Sequence, residues 1–246
     1  MQSQSSKPDF WLEPLDEKHL QDFHELCSDE QAAFWSSQRS TATLEATAVR
    51  LTQAFAKDIG KPWLVSCAIM SSNHPPQGAH DATPATATSK MIGVVRTTRA
   101  SPWGLMIGYK LRSDCWGRGY ATRAVCAFLD IYWSQPRRAP RGETLVQQAL
   151  DNHEARSGLS RDETSTRDGN TMTRVVGFGG DADEVEITHL VAQVDPDNLG
   201  SIRVAEKCGG KLVTVAKESV KVWRFPEKRD MAVWRLDKPS ASAESG

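Results

Sequence analysis

No stretch of this 246-residue chain reaches the roughly 18 uninterrupted apolar residues that a membrane span requires. Its opening residues, MQSQSSKPDF, hold no hydrophobic run of the kind a secretory signal needs. A cytoplasmic protein is expected, with the nucleus left open. Cysteine is sparse: Cys27, Cys67, Cys115, Cys126 and Cys208 are odd in number, scattered, and contain no CxxC pair. That argues against a disulfide framework and against a thiolate metal site, so the thiols read as reduced and no metal is expected. An excess of one charge is also missing. Thirty Lys and Arg stand against 31 Asp and Glu, for a net charge of -1, which gives no field for nucleic acid or an anionic membrane. Neither class of partner is expected, and any anion site must be local. The chain has no GxxxxGK[ST] phosphate loop, no GxSxG elbow and no HExxH, so the P-loop, serine-hydrolase and zinc-protease templates find nothing.

What is present is a globular composition, 39% hydrophobic and 25% charged, slightly thin in apolar content and long enough for one large domain or two small ones. DFWLEPL, from Asp9 to Leu15, alternates like a short strand, and a helical pattern follows through Leu20, Phe23, His24 and Leu26 toward Phe34 and Trp35. A second amphipathic helix spans Leu44 to Ile59 and stops at Gly60. PWLVSCAIM and KMIGVVRTT have the length and β-branched content of strands. The interval between them, Ser71 to Ser89, is rich in Ser, Pro, Ala and Thr and reads as a flexible hairpin insertion. WGLMIGYKLR is a third strand of that group. It leads through SDCWGRG into a helix from about Gly119 to Trp133, apolar enough to lie on a sheet and ended by Pro136.

From Gln135 to about Asp183 large apolar residues become rare and charges, Ser, Thr and Gly dominate. Such a stretch cannot bury enough surface to offset its ordering entropy. It is expected to be a largely flexible insertion with a short helix near Leu145 to Leu150. EVEITHLVAQV then reads as a strand, and DPDNLGSIRVAEKCGG as a helix with Asn198 as N-cap and Gly209 as its stop. KLVTVAKESVKVWRF and DMAVWRL are two strands joined by the turn PEKR. The order is β-α-α-β-β-β-α-(insertion)-β-α-β-β, without internal repeats.

The segment richest in chemistry is GLMIGYKLR running into SDCWGRGYATRAV. Gly117 and Gly119 let the backbone bend tightly and approach a ligand, and the helix behind them points free N–H groups and its positive dipole end at the same spot. Arg118, and Arg123 one turn on, add cationic charge where a helix N-terminus favours an anion, which suits a phosphate ligand. A glycine turn needed only to reverse the chain fits the same letters. The dinucleotide fingerprint does not fit, because Thr122 stands where its third glycine belongs.

WGRGYATRAV resembles the coenzyme A pyrophosphate loop of the GCN5-related N-acetyltransferases (GNAT), Gln/Arg-x-x-Gly-x-Gly/Ala, with Trp116, Gly119 and Ala121 at the three positions. The first departs from the pattern. Trp there, after IGYKL, is similar to the branch that holds the ribosomal-protein alanine acetyltransferases. VDPDNLGSIRVAEKCGGKL resembles the same branch through Asn198, Ser201, Val204, Glu206, Lys207 and Gly209, and RDMAVWRL resembles the Arg-Asp that opens its last strand. The resemblance implies an α/β fold: a mixed, mostly antiparallel central sheet, splayed between strands four and five and flanked by about four helices. It implies one domain over residues 9–238, with insertions at about 71–89 and 135–183 and disordered tails at 1–8 and 239–246.

The function so implied is direct transfer of an acetyl group from acetyl-coenzyme A, as co-substrate, to a primary amine: a protein N-terminus or a small molecule. The expected partners are those two substrates, on a monomer or homodimer. Pantetheine would pair with strand backbone near Tyr109 and Leu111. The pyrophosphate would sit in the loop of Trp116, Gly117, Arg118, Gly119, Tyr120, Ala121 and Thr122, and Asn198 and Ser201 would reach the cofactor from the other side. Many family members carry a tyrosine as thiolate donor seven residues after the Asn, where this chain has Ala205. Ser201 is the substitute. The branch's carboxylates are replaced by Val191 and Arg123, which leaves Glu186, His189, Asp114 or ordered water as candidate base. Cys115 beside the loop reads as an ordinary thiol, since direct transfer needs no acyl-enzyme. Phe34, Trp35, Trp63 and Trp223 are the candidates to line the acceptor side. Ala205, Val191 and the charged insertion motivate the competing reading, a non-catalytic acyl-coenzyme A-binding or interaction protein on the same scaffold.

Overall fold

Alternation of period two on the central strands divides the interior into two layers. The computed structural model describes residues 9–72, 89–145 and 184–240. Over these the chain forms β1 (Phe10–Pro14), α1 (Leu20–Ser28), α2 (Leu44–Asp58), β2 (Ser66–Ser71), β3 (Lys90–Ser101), β4 (Gly104–Leu111) and α3 (Tyr120–Trp133). A short pair, β5 (Arg138–Pro140) and β6 (Glu184–Glu186), brackets the one-turn helix α4 (Arg141–Thr144). The chain continues through β7 (His189–Val194), α5 (Leu199–Lys207), β8 (Lys211–Lys221) and β9 (Lys228–Asp237). On β2, Cys67 and Ile69 face a core built with Ile92, Val95, Ile107 and the α3 residues Val125, Phe128 and Tyr132. The intervening Ala68 and Met70 face the opposite layer with Phe23, Leu26 and Leu51 from α1 and α2. The ladder steps from the Met91–Met70 pair to the Gly93–Ile69 pair, leaving Ile92 as a bulge that joins the α3 side.

The main sheet runs β1-β2-β3-β4-β7-β9-β8. All its neighbours are antiparallel except β4 and β7, which are parallel and share only the Leu105–Leu190 and Met106–Val191 pairs. These two are the fourth and fifth strands of the main sheet in chain order. The architecture is therefore the expected one: α/β, a mostly antiparallel sheet parted between strands four and five, with four helices longer than one turn among the described residues. None of the described helices is long and apolar enough to cross a membrane.

Four local expectations change. The first helix stops at Ser28 instead of continuing toward Trp35, because the Asp29 carboxylate turns back to accept the N–H groups of Ala32 (3.0 Å) and Ser113 (2.7 Å). EVEITHLVAQV is two strands: β6 pairs with β5 in a separate sheet, and the Ile187 N–H donates to the Arg137 carbonyl at 2.9 Å, so the chain changes sheets there. Arg138–Thr144, inside the stretch expected to be an insertion, is ordered by that pairing. The expected helix at Leu145 to Leu150 lies outside the described residues beyond Leu145, as do 73–88 and 146–183. The strand expected to reach Phe225 ends at Lys221, where Trp223 leaves the ladder to donate its indole N–H to the Ala33 carbonyl at 2.8 Å.

Phe128 is completely buried between α3 and the sheet. Phe128→Ala should lower the free energy of unfolding by about 3–5 kcal/mol in urea titrations; a loss below about 1 kcal/mol would contradict that packing.

Candidate active site

The parting of β4 from β7 leaves backbone groups without a ladder. The Arg112 N–H donates to the Ile92 carbonyl at 2.9 Å on the β3 side, and the β3–β4 register is regular from Gly93–Leu111 to Thr97–Ile107. Alternation then turns the N–H and C=O of Leu111 and Tyr109, and the C=O of Ile107, toward the edge that β7 has left, while the Met106–Val191 pair keeps the Ile107 N–H on the β7 ladder. The Leu111 carbonyl is taken by the Trp116 indole N–H at 3.1 Å, which pins a half-exposed Trp116 at the start of the loop. The other groups on that edge face the gap.

Both loop glycines are left-handed, Gly117 with φ of 74° and Gly119 with φ of 77°, and Gly119 is the N-cap of α3. A Cβ at either would meet nothing within 4 Å. The glycines are there for backbone conformation, and open space lies above them. The first bond of the helical ladder runs from the Arg123 N–H to the Gly119 carbonyl at 3.1 Å, so the N–H groups of Tyr120, Ala121 and Thr122 precede it. Arg118 is exposed in this loop. Arg123, expected to join it, turns the other way: its guanidinium lies 4.5 Å over the Phe10 ring and pairs with Asp9 at 3.2 Å. The Tyr120 ring stacks on Phe10 at 6.1 Å, tying α3 to β1.

Across the gap, β7 ends at Val194 and Asp195 organises the turn into α5. Its carboxylate, 2% exposed, accepts from Arg229 on β9 at 2.7 and 3.0 Å and from the Asp197 N–H at 2.9 Å. Burial pushes this carboxyl up, and the Arg229 and Asp197 hydrogen bonds outweigh that, holding it below the usual carboxylate range. Asn198 caps α5 by accepting the Ser201 N–H at 3.1 Å. Ser201 in turn presents its hydroxyl to Tyr109, Oγ to Oη 2.9 Å. Between them lies a crevice of about 300 Å³, counting the space open to solvent, lined by Ile107, Gly108, Tyr109, Val125, Ala192, Val194, Ser201, Val204, Ala205 and Leu236. Below it, Cys126 of α3 and Cys208 at the end of α5 touch, Sγ to Sγ 3.1 Å.

Of the residues read from sequence, Tyr109 and Ser201 line the crevice, Asn198 caps the helix that carries Ser201, and Leu111 holds Trp116 at the start of the glycine loop that leads into α3. The candidate bases lie elsewhere. His189 contacts the Trp103 carbonyl at 2.9 Å through Nε2 and Thr188 at 3.2 Å through Nδ1, at the paired end of β7. Glu186 forms an ion pair with Lys238 at 2.6 Å, which holds its carboxyl below the usual range. Asp114 binds Arg112 at 3.0 and 3.2 Å. None of the three lines the crevice. Cys115 is 2% exposed, and burial together with the neighbouring Asp114 charge pushes its thiol up to about 12, so it carries no thiolate at neutral pH.

Of the four aromatics expected on the acceptor side, Trp63 is a core residue packed with Ile69 and Tyr132. Phe34, Trp35 and Trp223 gather where the α1–α2 connection meets the turn between β8 and β9. They are joined there by Phe225, 6.3 Å from Phe34 and 6.1 Å from Trp35, which the sequence reading missed. Its place immediately before the PEKR turn was the available signal. The Tyr109–Ser201 contact was missed too, because 92 residues separate the partners and no local pattern couples them. Among the described residues no cluster of His, Cys, Asp and Glu could hold a metal ion.

A family model described as an acetyltransferase (GNAT) domain matches residues 9–211. No curated protein matches the sequence. Among solved structures, a RimL ribosomal L7/L12 alpha-N-protein acetyltransferase in complex with coenzyme A has 15% identity and a TM-score of 0.58, covering 94% of this chain and 96% of that one. A spermidine N-acetyltransferase from Vibrio cholerae, in complex with coenzyme A and spermine, has 11% identity and a TM-score of 0.55 over the same shares. A GNAT-family acetyltransferase from Bacillus anthracis has 13% identity and a TM-score of 0.55, again over 94% and 96%. At these identities the likeness is one of fold.

The Asp195 pair gives a pH dependence with a definite sign. A carboxyl with a depressed folded pKa stabilises the fold above its unfolded value, roughly 3.9, and the contribution fades as pH falls through the folded value. Thermal melts from neutral pH to about pH 3 should show the wild type losing an increment that Asp195→Asn never had, the two curves converging at the acid end. Curves that stay parallel contradict the pairing.

Proposed function

The chain belongs to the GNAT acetyltransferase family, and from that premise we propose that it moves the acetyl group of acetyl-coenzyme A directly to a primary amine, at a protein N-terminus or on a small molecule. One observation carries the reading: the unladdered edge of β4 runs straight into the free N–H groups at the start of α3. An elongated ligand with amides at one end and a pyrophosphate at the other matches that sequence of donors and acceptors. The residues fit such a ligand. Tyr109 and Leu111 offer amide-pairing groups, and the left-handed glycines with Tyr120, Ala121 and Thr122 offer a nest of N–H donors at a positive helix end. Arg118 adds a cation. Asn198 and Ser201 close the other side.

Acetyl-coenzyme A supplies a thioester; the chain supplies its placement. A neutral amine attacks the carbonyl carbon, a backbone N–H on the open edge of β4 takes up charge developing on the oxygen, and the Ser201 hydroxyl gives a proton to the departing sulfur. Among the described residues no carboxylate or imidazole lines the crevice, and ordered water removes the amine's proton. The rate should therefore follow ionisation of the acceptor, rising with pH through roughly 7.7–8.0 for an α-amine.

Thiol release measured with a panel of N-terminal peptides and small amines tests the reading. The wild type should turn over at least one acceptor, and Gly119→Glu, which sets a carboxylate and a strained left-handed backbone at the pyrophosphate position, should abolish turnover and coenzyme A binding without unfolding the protein. Activity unchanged by Gly119→Glu sinks the assignment. Tight coenzyme A binding with no turnover on any acceptor, and no acetylated product by mass spectrometry of a treated cell extract, favours the non-catalytic scaffold instead.

A further inference from the structure

The family tyrosine that follows the helix Asn is absent, and Ala205 in its place is buried against the crevice. Yet a phenol is in the crevice. Tyr109 brings it from the strand side, and among the ten lining residues Tyr109 and Ser201 are the only two with polar side chains. Their hydroxyls are 2.9 Å apart, one on β4 and one in the first turn of α5. Two hydroxyls in an apolar setting polarise each other more strongly than they would in water.

We propose that Tyr109 is a positioning residue for acetyl transfer: its phenol donates to Ser201 Oγ, so that Ser201 gives its proton to the departing sulfur while receiving one from Tyr109. The inference rests on the acetyltransferase reading above. A serine hydroxyl alone would become an alkoxide on giving up its proton, a far stronger base than the thiolate it serves. With the phenol behind it, the charge is shared along the hydrogen-bonded pair with a phenol, a far weaker base as its anion than an alkoxide, until the proton from the acylated nitrogen returns. The atoms balance. The amine lone pair forms the C–N bond, the C–S pair leaves with sulfur, sulfur takes the Ser201 proton, Ser201 takes the Tyr109 proton, and the proton lost by the acylated nitrogen returns through water to Tyr109. The relay accounts for a crevice that keeps a phenol although its helix has lost one. Burial, partly countered by the Ser201 hydrogen bond, holds the Tyr109 phenol above its ordinary range and therefore protonated at working pH.

Tyr109→Phe keeps the ring and removes only the oxygen. Two readouts decide. The first is steady-state kinetics: kcat should fall by about 10²-fold with the KM for acetyl-coenzyme A unchanged. Ser201→Ala should fall as far, and the double variant no further than either single one. The second needs no turnover. Coenzyme A bound to the wild type should show a lowered thiol pKa, followed by the ultraviolet absorbance of its thiolate, because the hydroxyl pair stabilises that anion. In Tyr109→Phe the bound thiol should titrate at a higher pH while the calorimetric affinity for coenzyme A stays the same. A bound-thiol pKa identical in the two proteins, or a kcat left intact by Tyr109→Phe, overturns the relay and leaves the acetyltransferase reading standing. Failure of the wild type to bind coenzyme A overturns both.

Discussion

Everything functional in this molecule follows from two neighbouring strands that stop being neighbours. β4 and β7 share two residue pairs and then diverge, although unpaired backbone groups inside a fold are costly. The divergence is enforced from outside the gap. β4 remains laddered to β3 as far as Leu111, and the next residue, Arg112, is buried in a charge cluster with Glu25 of α1 and Asp114. β7 remains laddered to β9 as far as Val194, and the next residue, Asp195, is held by Arg229. An ion-pair network at the end of each strand anchors it toward its other partner. Burying such charges carries a desolvation cost that only close, multiple hydrogen bonds offset, and both networks have them.

Once the strands part, the helices follow with their N-termini toward the gap. Each parted strand runs directly into a helix, β4 into α3 and β7 into α5, so two positive helix ends lie near the carboxyl ends of two strands. That is where open α/β sheets bind ligands. The two ends differ in how they are capped, and the difference sorts their roles. α5 has a side-chain cap in Asn198, which satisfies the Ser201 N–H and fixes the Ser201 hydroxyl against the strand. α3 has Gly119 and no side-chain cap at all. An uncapped, left-handed start leaves its donors for something that is not protein. The Cys126–Cys208 contact joins the two helices behind the gap, so the donors of one and the hydroxyl of the other keep a common frame.

What the sequence could reveal divides along the same line. Features fixed within a few residues were legible: the Gly117 and Gly119 turn, the Asn198 cap, the stops at Gly60 and Gly209. Features fixed by distant partners were not. Arg123 looked like part of an anion site because it lies one turn into α3, and only the fold brings Asp9 and Phe10 to it. α1 ends where Asp29 meets Ser113, 84 residues on. Trp63 and Phe225 depart from the sequence reading for the same reason, one packed in the core with Tyr132 and the other delivered to Phe34 and Trp35 by the turn that Trp223 anchors. Period and capping are properties of a segment, whereas a site is a property of the segments it joins.

The crevice shows how tightly its chemistry is bound to its stability. In a part-buried apolar crevice, either hydroxyl alone would lose hydration without gaining a protein partner, at a cost below the roughly 1–3 kcal/mol of a fully buried unsatisfied group. Tyr109 and Ser201 remove that cost for each other. Their bond also spans the gap, from the strand that opens away to the helix on the far side. Ligand atoms that enter between them replace a hydrogen bond the protein already makes, so the net gain from these two groups on binding is small. It grows only as charge develops on the atom they face, because hydrogen bonds to ions are about twice as strong as those between neutral groups. A hydroxyl pair that contributes little to holding a ground state and more to a developing anion is placed to favour a transition state over a bound substrate.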